Sequence, residues 1–184
     1  MLNYVLLGLL FDKEATGYDI KKEAEGGIGN FYKISYGRMY PTLKTMTENG
    51  HLLTREEMQG KRQKIYYKAT KEGKGAFIEW LSTPVLMTMA AEEQLSRIFF
   101  YGKLPEDVRD KRLMECEILS NQGIQITKEI EKHILKQDAS KRDYFAESTL
   151  YYAMQMNYTT ARWLAHIREE KPLSQFVIKN NEED

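Results

Sequence analysis

The residues best suited to chemistry lie together in Ser35 to Gly50, Ser-Tyr-Gly-Arg-Met-Tyr-Pro-Thr-Leu-Lys-Thr-Met-Thr-Glu-Asn-Gly. Tyr36, Met39 or Tyr40, Leu43 and Met46 recur there at helical spacing and predict one packed face. Arg38, Pro41, Thr42 and Thr45 fall opposite. A short polar face with one guanidinium near its N-terminal end suits the major groove of DNA, where Arg meets guanine and Thr meets base edges. Tyr36 and Tyr40 offer hydroxyls to phosphate, and Lys33 and Lys44 offer ammonium groups. Ser35 is expected to be the N-cap and is counted with this face; Asn49-Gly50 is expected to end the helix. Pro41 lacks an N–H to donate, so a kink or an irregular first turn is expected. A solvated amphipathic helix would account for this stretch alone, and the flanking sequence decides otherwise.

Other chemistry finds little to work with. His51, His133 and His166 are scattered, Cys116 is the single cysteine, and no phosphate loop, metal-ligand pair or nucleophile motif occurs. The chain therefore reads as a non-enzyme with no catalytic residue, cofactor or metal site. Its composition, 42% apolar and 29% charged over 184 residues, is that of a folded protein with a sizeable core. The lone cysteine and the absence of a signal peptide or of a spanning apolar run predict a cytoplasmic protein without a membrane partner. Formal net charge is zero, but from Lys33 to Lys74 ten Lys or Arg face four Glu. That local excess points to a polyanion partner.

The elements that would position this face follow in chain order. Leu2 to Phe11 is apolar on nearly all sides and predicts a buried helix with contacts beyond its own domain. Asp12 to Ala15 reads as a turn, and Thr16-Gly17-Tyr18-Asp19 as a capping box opening a helix from about Tyr18 to Glu25. Gly26 to Asn30 breaks that helix. Helix, turn and a second helix with a polar stripe make a helix-turn-helix. Leu52 to Met58 and Gln63 to Ala69 then predict a β-hairpin whose tip is basic. Directly after the polar helix such a hairpin is a wing, and Lys61, Arg62 and Lys64 are placed to meet phosphate or the minor groove. Thr70 caps a further helix, Lys71 to Ser82, with Ala76, Phe77, Trp80 and Leu81 on its buried face. Pro84 marks a boundary, giving domains of 1–82 and 83–184.

The second domain reads as helical throughout. Glu92 to Tyr101 offers Leu95, Ile98 and Phe99 as a face, and Pro105-Glu106-Asp107 opens a long helix to about Gln137. Cys116, Leu119, Gly123, Ile126, Ile130 and His133 form its stripe, widened by Leu113, Ile124 and Ile134. A last helix from about Lys141 to Glu169 carries Phe145, Thr149, Tyr152, Met156, Thr159 or Thr160, Trp163 and Ile167. Stripes this wide cannot be buried by two helices on each other, which predicts a homodimer. The tail from Pro172 is expected to be mobile. The fold class is mostly α with a small β-hairpin (α+β): an N-terminal winged helix-turn-helix and a C-terminal long-helix dimerisation domain.

Tyr4-Val5-Leu6-Leu7-Gly8-Leu9-Leu10, Thr16-Gly17-Tyr18-Asp19-Ile20, Tyr36-Gly37-Arg38-Met39-Tyr40-Pro41-Thr42-Leu43 and Tyr66-Tyr67-Lys68-Ala69-Thr70 to Gly73 together resemble the PadR family of bacterial transcriptional regulators. The first domain matches by motif, the second by length and helix pattern. The resemblance implies a repressor that dimerises through its first and C-terminal helices. It also implies double-stranded DNA with an inverted-repeat operator as partner, and release by a small aromatic or amphiphilic effector. Tyr144, Tyr151, Tyr152, Met154, Met156, Tyr158 and Trp163 are enough to line a pocket, but core or interface roles suit each better, and no ligand residue is assigned. The competing reading is a protein-interaction module or activator that keeps the winged fold without ligand response.

Overall fold

The computed structural model describes residues 1–59, 62–86, 89–136, 138 and 142–176. The elements in chain order are helix α1 (Leu2–Leu9), strand β1 (Glu14–Thr16), α2 (Gly17–Gly26), a 3₁₀ turn (Ile28–Asn30) and α3 (Tyr36–Glu48). Strands β2 (Leu52–Gln59) and β3 (Arg62–Ala69) and helices α4 (Lys71–Ser82), α5 (Ala91–Phe100), α6 (Glu106–Leu135) and α7 (Tyr144–Arg168) follow. The class is the α+β expected. Two compact units result, one of residues 1–83 with 89–105, the other of 84–86 with 106–176.

In the first unit α1 is the central element. Val5, Leu6, Leu7 and Leu10 are fully buried, and the helix packs against α2, α3 and α4. The breadth of its apolar surface is thus absorbed inside its own unit. Tyr4 stacks on Trp80 at 4.9 Å, and the Phe100 ring lies so close to Gly8 that a Cβ there would sit 2.6 Å from it. Helix α2 opens with the expected capping box: Thr16 Oγ1 accepts from the Asp19 N–H at 3.2 Å, while the Asp19 carboxylate accepts from Thr16.

The segment read as a turn, 12–15, holds a strand instead. Strand β1 pairs antiparallel with β3, Ala15 opposite Tyr67, so the sheet has order β1-β3-β2. Three residues are too few to show a period-two pattern, and the pairing comes from β3 rather than from local propensity. Strands β2 and β3 form the expected hairpin, in register from Leu52 opposite Ala69 to Gln59 opposite Arg62. Thr70 caps α4 by accepting from the Gly73 N–H at 2.9 Å, and its hydroxyl also lies 2.8 Å from the Gly50 carbonyl. The buried face of α4 is Gly73, Phe77, Trp80 and Leu81; Ala76 is half-buried.

Helix α5 corrects the expectation twice: it packs in the first unit, and its buried residues are Ser96, Arg97 and Phe100 rather than Leu95, Ile98 and Phe99. The reason is Arg97. Its guanidinium donates to the Trp80 carbonyl at 2.8 Å and the Thr83 carbonyl at 3.1 Å, lies 4.7 Å from the Trp80 ring and pairs with Glu93 at 3.0 Å. It satisfies carbonyls left open at the end of α4 and draws the polar side of α5 inward.

In the second unit α6 and α7 run antiparallel. Arg109 pairs with Glu170 at 3.0 Å, Arg168 with Glu117 at 3.3 Å, and Gly123 gives room to Asn157. Asp143 starts α7, accepting from the Phe145 N–H at 2.9 Å. Inside the pair lie Leu113, Cys116, Ile124, Thr127 and Leu164, while Ile126, Ile130 and His133 of the expected α6 stripe are not buried there. On α7, Phe145, Thr149, Tyr152 and Met156 also face outward. Beyond Pro172 a 3₁₀ turn, Leu173–Gln175, brings the Phe176 ring to 5.6 Å from His166; the tail from 177 lies outside the described residues. Among the described residues no helix is long and apolar enough to cross a membrane.

A Cβ at Gly73 would lie 2.2 Å from the His51 carbonyl oxygen, which is backbone and cannot swing away. Gly73→Ala is therefore expected to cost about 2–4 kcal/mol in urea denaturation. Gly75→Ala, where nothing lies within 4 Å, should instead gain about 0.5–1 kcal/mol from helix propensity.

Candidate nucleic-acid interface

Helix α3 is held by three side chains. Met39, Leu43 and Met46 are buried at four- and three-residue spacing and leave the rest of its circumference to solvent. Tyr36 and Tyr40, counted above among possible packing residues, are 45% and 46% exposed and stack on each other at 5.9 Å. They lie a quarter turn from the packed stripe, which Met39 fills in their place. Pro41 sits inside a helix that is α from Tyr36 to Glu48, so no irregular first turn precedes it. Its missing N–H leaves the Gly37 carbonyl without a helical partner. Ser35 occupies the N-cap position but makes no side-chain cap; its carbonyl accepts from Arg38 and Met39 at 3.2 and 2.9 Å. The stop at Asn49-Gly50 is as expected, with Gly50 at φ +74° and the His51 N–H returning to the Met46 carbonyl at 2.9 Å.

Arg38, Lys44 and Thr45 are exposed along this helix. Thr42 is half-buried, and its hydroxyl donates to the Arg38 carbonyl at 2.8 Å, so an acceptor lone pair and a methyl group are what it still presents. Lys44 stands 3.9 Å from Glu48 on an open surface. Such a contact is weak enough for a phosphate to displace it.

Two crevices flank the N-terminal half of α3. One, of about 650 Å³, gathers Lys33, Ser35, Tyr36 and Arg38 with Lys21 of α2. The Lys21 ammonium lies 5.8 Å from the Tyr36 ring and pairs with Glu25. The other, of about 440 Å³, lies between the start of α2 and β3 and brings Tyr40 and Lys64 together with Tyr18 and Gln63. Lys61 lies outside the described residues, and of Arg62 only the strand position is described. Lys21, Tyr18 and Gln63 were missed by the sequence reading. The signal for Tyr18 was present, because the buried positions Ile20 and Ala24 turn the second residue of α2 outward.

Not every cation of the basic stretch is free. Arg55 donates to Glu14 at 2.6 Å and Glu57 at 2.7 Å and lies 4.4 Å from the Tyr66 ring. The hydrogen bond to Glu14 holds that carboxyl below the usual glutamate range. Burial, and then the neighbouring Tyr40, push the Tyr67 phenol up. Among the described residues no three His, Cys, Asp or Glu come together as metal ligands would.

Helix α3 thus presents an exposed polar face with cations around its start and a hairpin beside it. Residues 6–79 match the family model described as the transcriptional regulator PadR-like family. That match lies wholly within the first unit. A negative transcriptional regulator PadR of Bacillus subtilis is 34% identical over 102 residues, 54% of this chain and 56% of the relative. A probable transcriptional regulator of Mycobacterium tuberculosis is 24% identical over 88 residues, 47% of each. The chain thus spans about half the length of the curated relatives it matches. The crystal structure of Bacillus subtilis PadR in complex with operator DNA is similar at 26% identity, with 92% of this chain and 96% of that one covered and a TM-score of 0.45. The relatives are described as regulators of transcription.

The capping box gives this head a pH dependence. The Thr16 hydroxyl and backbone N–H hold the Asp19 carboxyl below its ordinary value of 3.8. A pKa lowered on folding adds stability that is complete above the ordinary value and is lost as pH falls through the lowered one. Urea denaturation of Asp19→Asn is expected to show a shallower loss of stability than the parent below pH 3.8. An identical acid limb in both would show that this pair contributes nothing.

Proposed function

We propose that the protein is a dimeric transcriptional regulator that binds an inverted-repeat operator in double-stranded DNA in the cytoplasm. The observation that carries the reading is the coincidence of the matched domain, 6–79, with the exposed polar face of α3 and the cation-lined crevices at its start. Arg38, Thr42 and Thr45 are assigned to base edges. Tyr36, Tyr40, Lys33, Ser35 and Lys44 are assigned to the backbone, and Lys64 with the wing-tip Lys61 and Arg62 to phosphate. Repression is the finer assignment, supported by the Bacillus subtilis relative, described as a negative regulator. Release by a small aromatic or amphiphilic effector rests on the family resemblance, and no side chain is assigned to it.

The dimer rests on the outer face of α7. Phe145, Thr149, Tyr152, Met156 and Thr159 alternate by four and three, the spacing of a helix seam, and all are exposed, Phe145 at 78% and Tyr152 at 69%. Large aromatic side chains in such a row are stable in water when a second copy covers them.

Anisotropy on labelled DNA from upstream of the protein's own gene, at two salt concentrations, tests the reading. Tight binding that weakens steeply with salt is expected. Arg38→Ala should lose about 1–3 kcal/mol of preference over scrambled DNA while keeping the salt dependence. Sequence-blind binding untouched by that change would refute it. Changing Tyr152 and Met156 together to Glu should yield a monomer by sedimentation and weaken operator binding, whereas an unaltered dimer would place the interface elsewhere.

A further inference from the structure

The crevice between α2 and the wing carries a pattern that phosphate binding leaves unexplained. Its charged groups, Lys64 and Asp19, oppose each other, and the Asp19 carboxylate is already engaged by Thr16. Gln63 spends a donor on Glu56 at 2.6 Å. What the walls do offer is apolar: Tyr18, 64% exposed, on the α2 side and Ile65, 39% exposed, on the wing side, with Tyr40 shared with the reading helix. Strand register extends the wing wall. Glu56 lies opposite Ile65 and Met58 opposite Gln63, so Met58, 66% exposed, shares the Ile65 face one rung nearer the tip.

We propose that this crevice grips the sugar edge of one DNA strand by apolar contact, with Tyr18 on one wall and Ile65 and Met58 on the other. The inference rests on the DNA-binding reading above and names what the wing adds to it. A deoxyribose presents uncharged C–H groups beside each charged phosphate, which matches apolar walls that end at one lysine. Asp19 repels phosphate at its own end, so the phosphate belongs beside Lys64 and the sugar beside Tyr18. The occupant is DNA because Tyr40 makes the crevice continuous with the α3 face and because the surrounding Lys33 to Lys74 stretch carries the cationic excess. Apolar contacts release no counterions, so this grip differs in kind from the lysine contacts: it adds affinity at every salt concentration and discriminates little between sequences.

Anisotropy with the full chain on a labelled mixed-sequence duplex, over a range of salt, separates the two kinds of contact. Tyr18→Ala, Ile65→Ala and Met58→Ala should each weaken binding roughly threefold to tenfold at all salt concentrations with an unchanged slope. Lys64→Gln should lower the slope of log affinity against log salt by about one. Tyr18→Phe should bind as the parent does. Met58 and Tyr18 are exposed enough to decide the matter should Ile65→Ala loosen the sheet. Truncations that leave affinity intact overturn the grip while parent binding upholds the DNA reading; a parent that binds no duplex overturns both. Equal losses in Tyr18→Phe and Tyr18→Ala would assign a hydroxyl–phosphate contact and overturn the apolar one. Unchanged DNA affinity with loss of anilinonaphthalene sulfonate fluorescence would assign the crevice to a small apolar ligand and overturn the grip on DNA.

Discussion

The first unit depends on the burial of α1. Its leucines and valine form a surface that α2, α3 and α4 share, and Phe100 of α5 closes over it at Gly8. Each such side chain taken from water is worth roughly 2 kcal/mol, and several of them lie within two turns. Because α1 supplies so much of the core, α3 is fixed with only Met39, Leu43 and Met46 turned inward. The remainder of α3 is thereby released from packing and can be chosen for what it touches outside. The exposed part of α3 thus carries Tyr40 on one flank and Arg38 and Thr45 on the other.

Electrostatics in this head is organised by subtraction. The basic stretch carries ten cations, but Arg55 is held between Glu14 and Glu57 across the sheet, and Lys21, just outside that stretch, is paired with Glu25. Arg55 joins β1 to β2 over the intervening β3, and so fixes the sheet from which the wing projects. Lys33 and Arg38 at the start of α3 and Lys64 on the wing carry no such ion pair among the described residues. Charge counts along a sequence treat all of these alike. The distinction between a structural and a presented cation appears only when cross-strand neighbours are known.

Much of the head was legible in the sequence because its signals are local. The Thr16–Asp19 capping box, the Gly50 stop and the Thr70 cap each depend on residues a few positions apart, the hairpin on two β-rich runs about a turn, and each stands where expected. What failed to show was set by distant partners. Strand β1 exists because β3 offers an edge to it, and α5 turns its polar side inward because the end of α4 presents carbonyls to Arg97. Tyr36 and Tyr40 were ambiguous for a related reason: helical spacing admits either Met39 or Tyr40 to the packed stripe, and only the shape of the pocket beneath α3 selects the methionine. The crevice beside the wing has no sequence signature at all, since Tyr18, Tyr40 and Ile65 come from three separate elements.

In the second unit the sequence shows the periodicity but leaves open which side of each helix meets the other. The four-and-three alternation of α7 exists, but Phe145, Tyr152 and Met156 point away from α6, while the inner seam uses Leu113, Cys116, Gly123, Ile124, Thr127 and Leu164. Small and polar residues inside let the two helices approach closely, as the tight fit of Asn157 over Gly123 illustrates. The larger side chains are left for a different neighbour. An isolated helix pair would gain more by the opposite arrangement, with its aromatics inside. On the dimer proposed above, a second α7 supplies the surface that these side chains lack in a single copy.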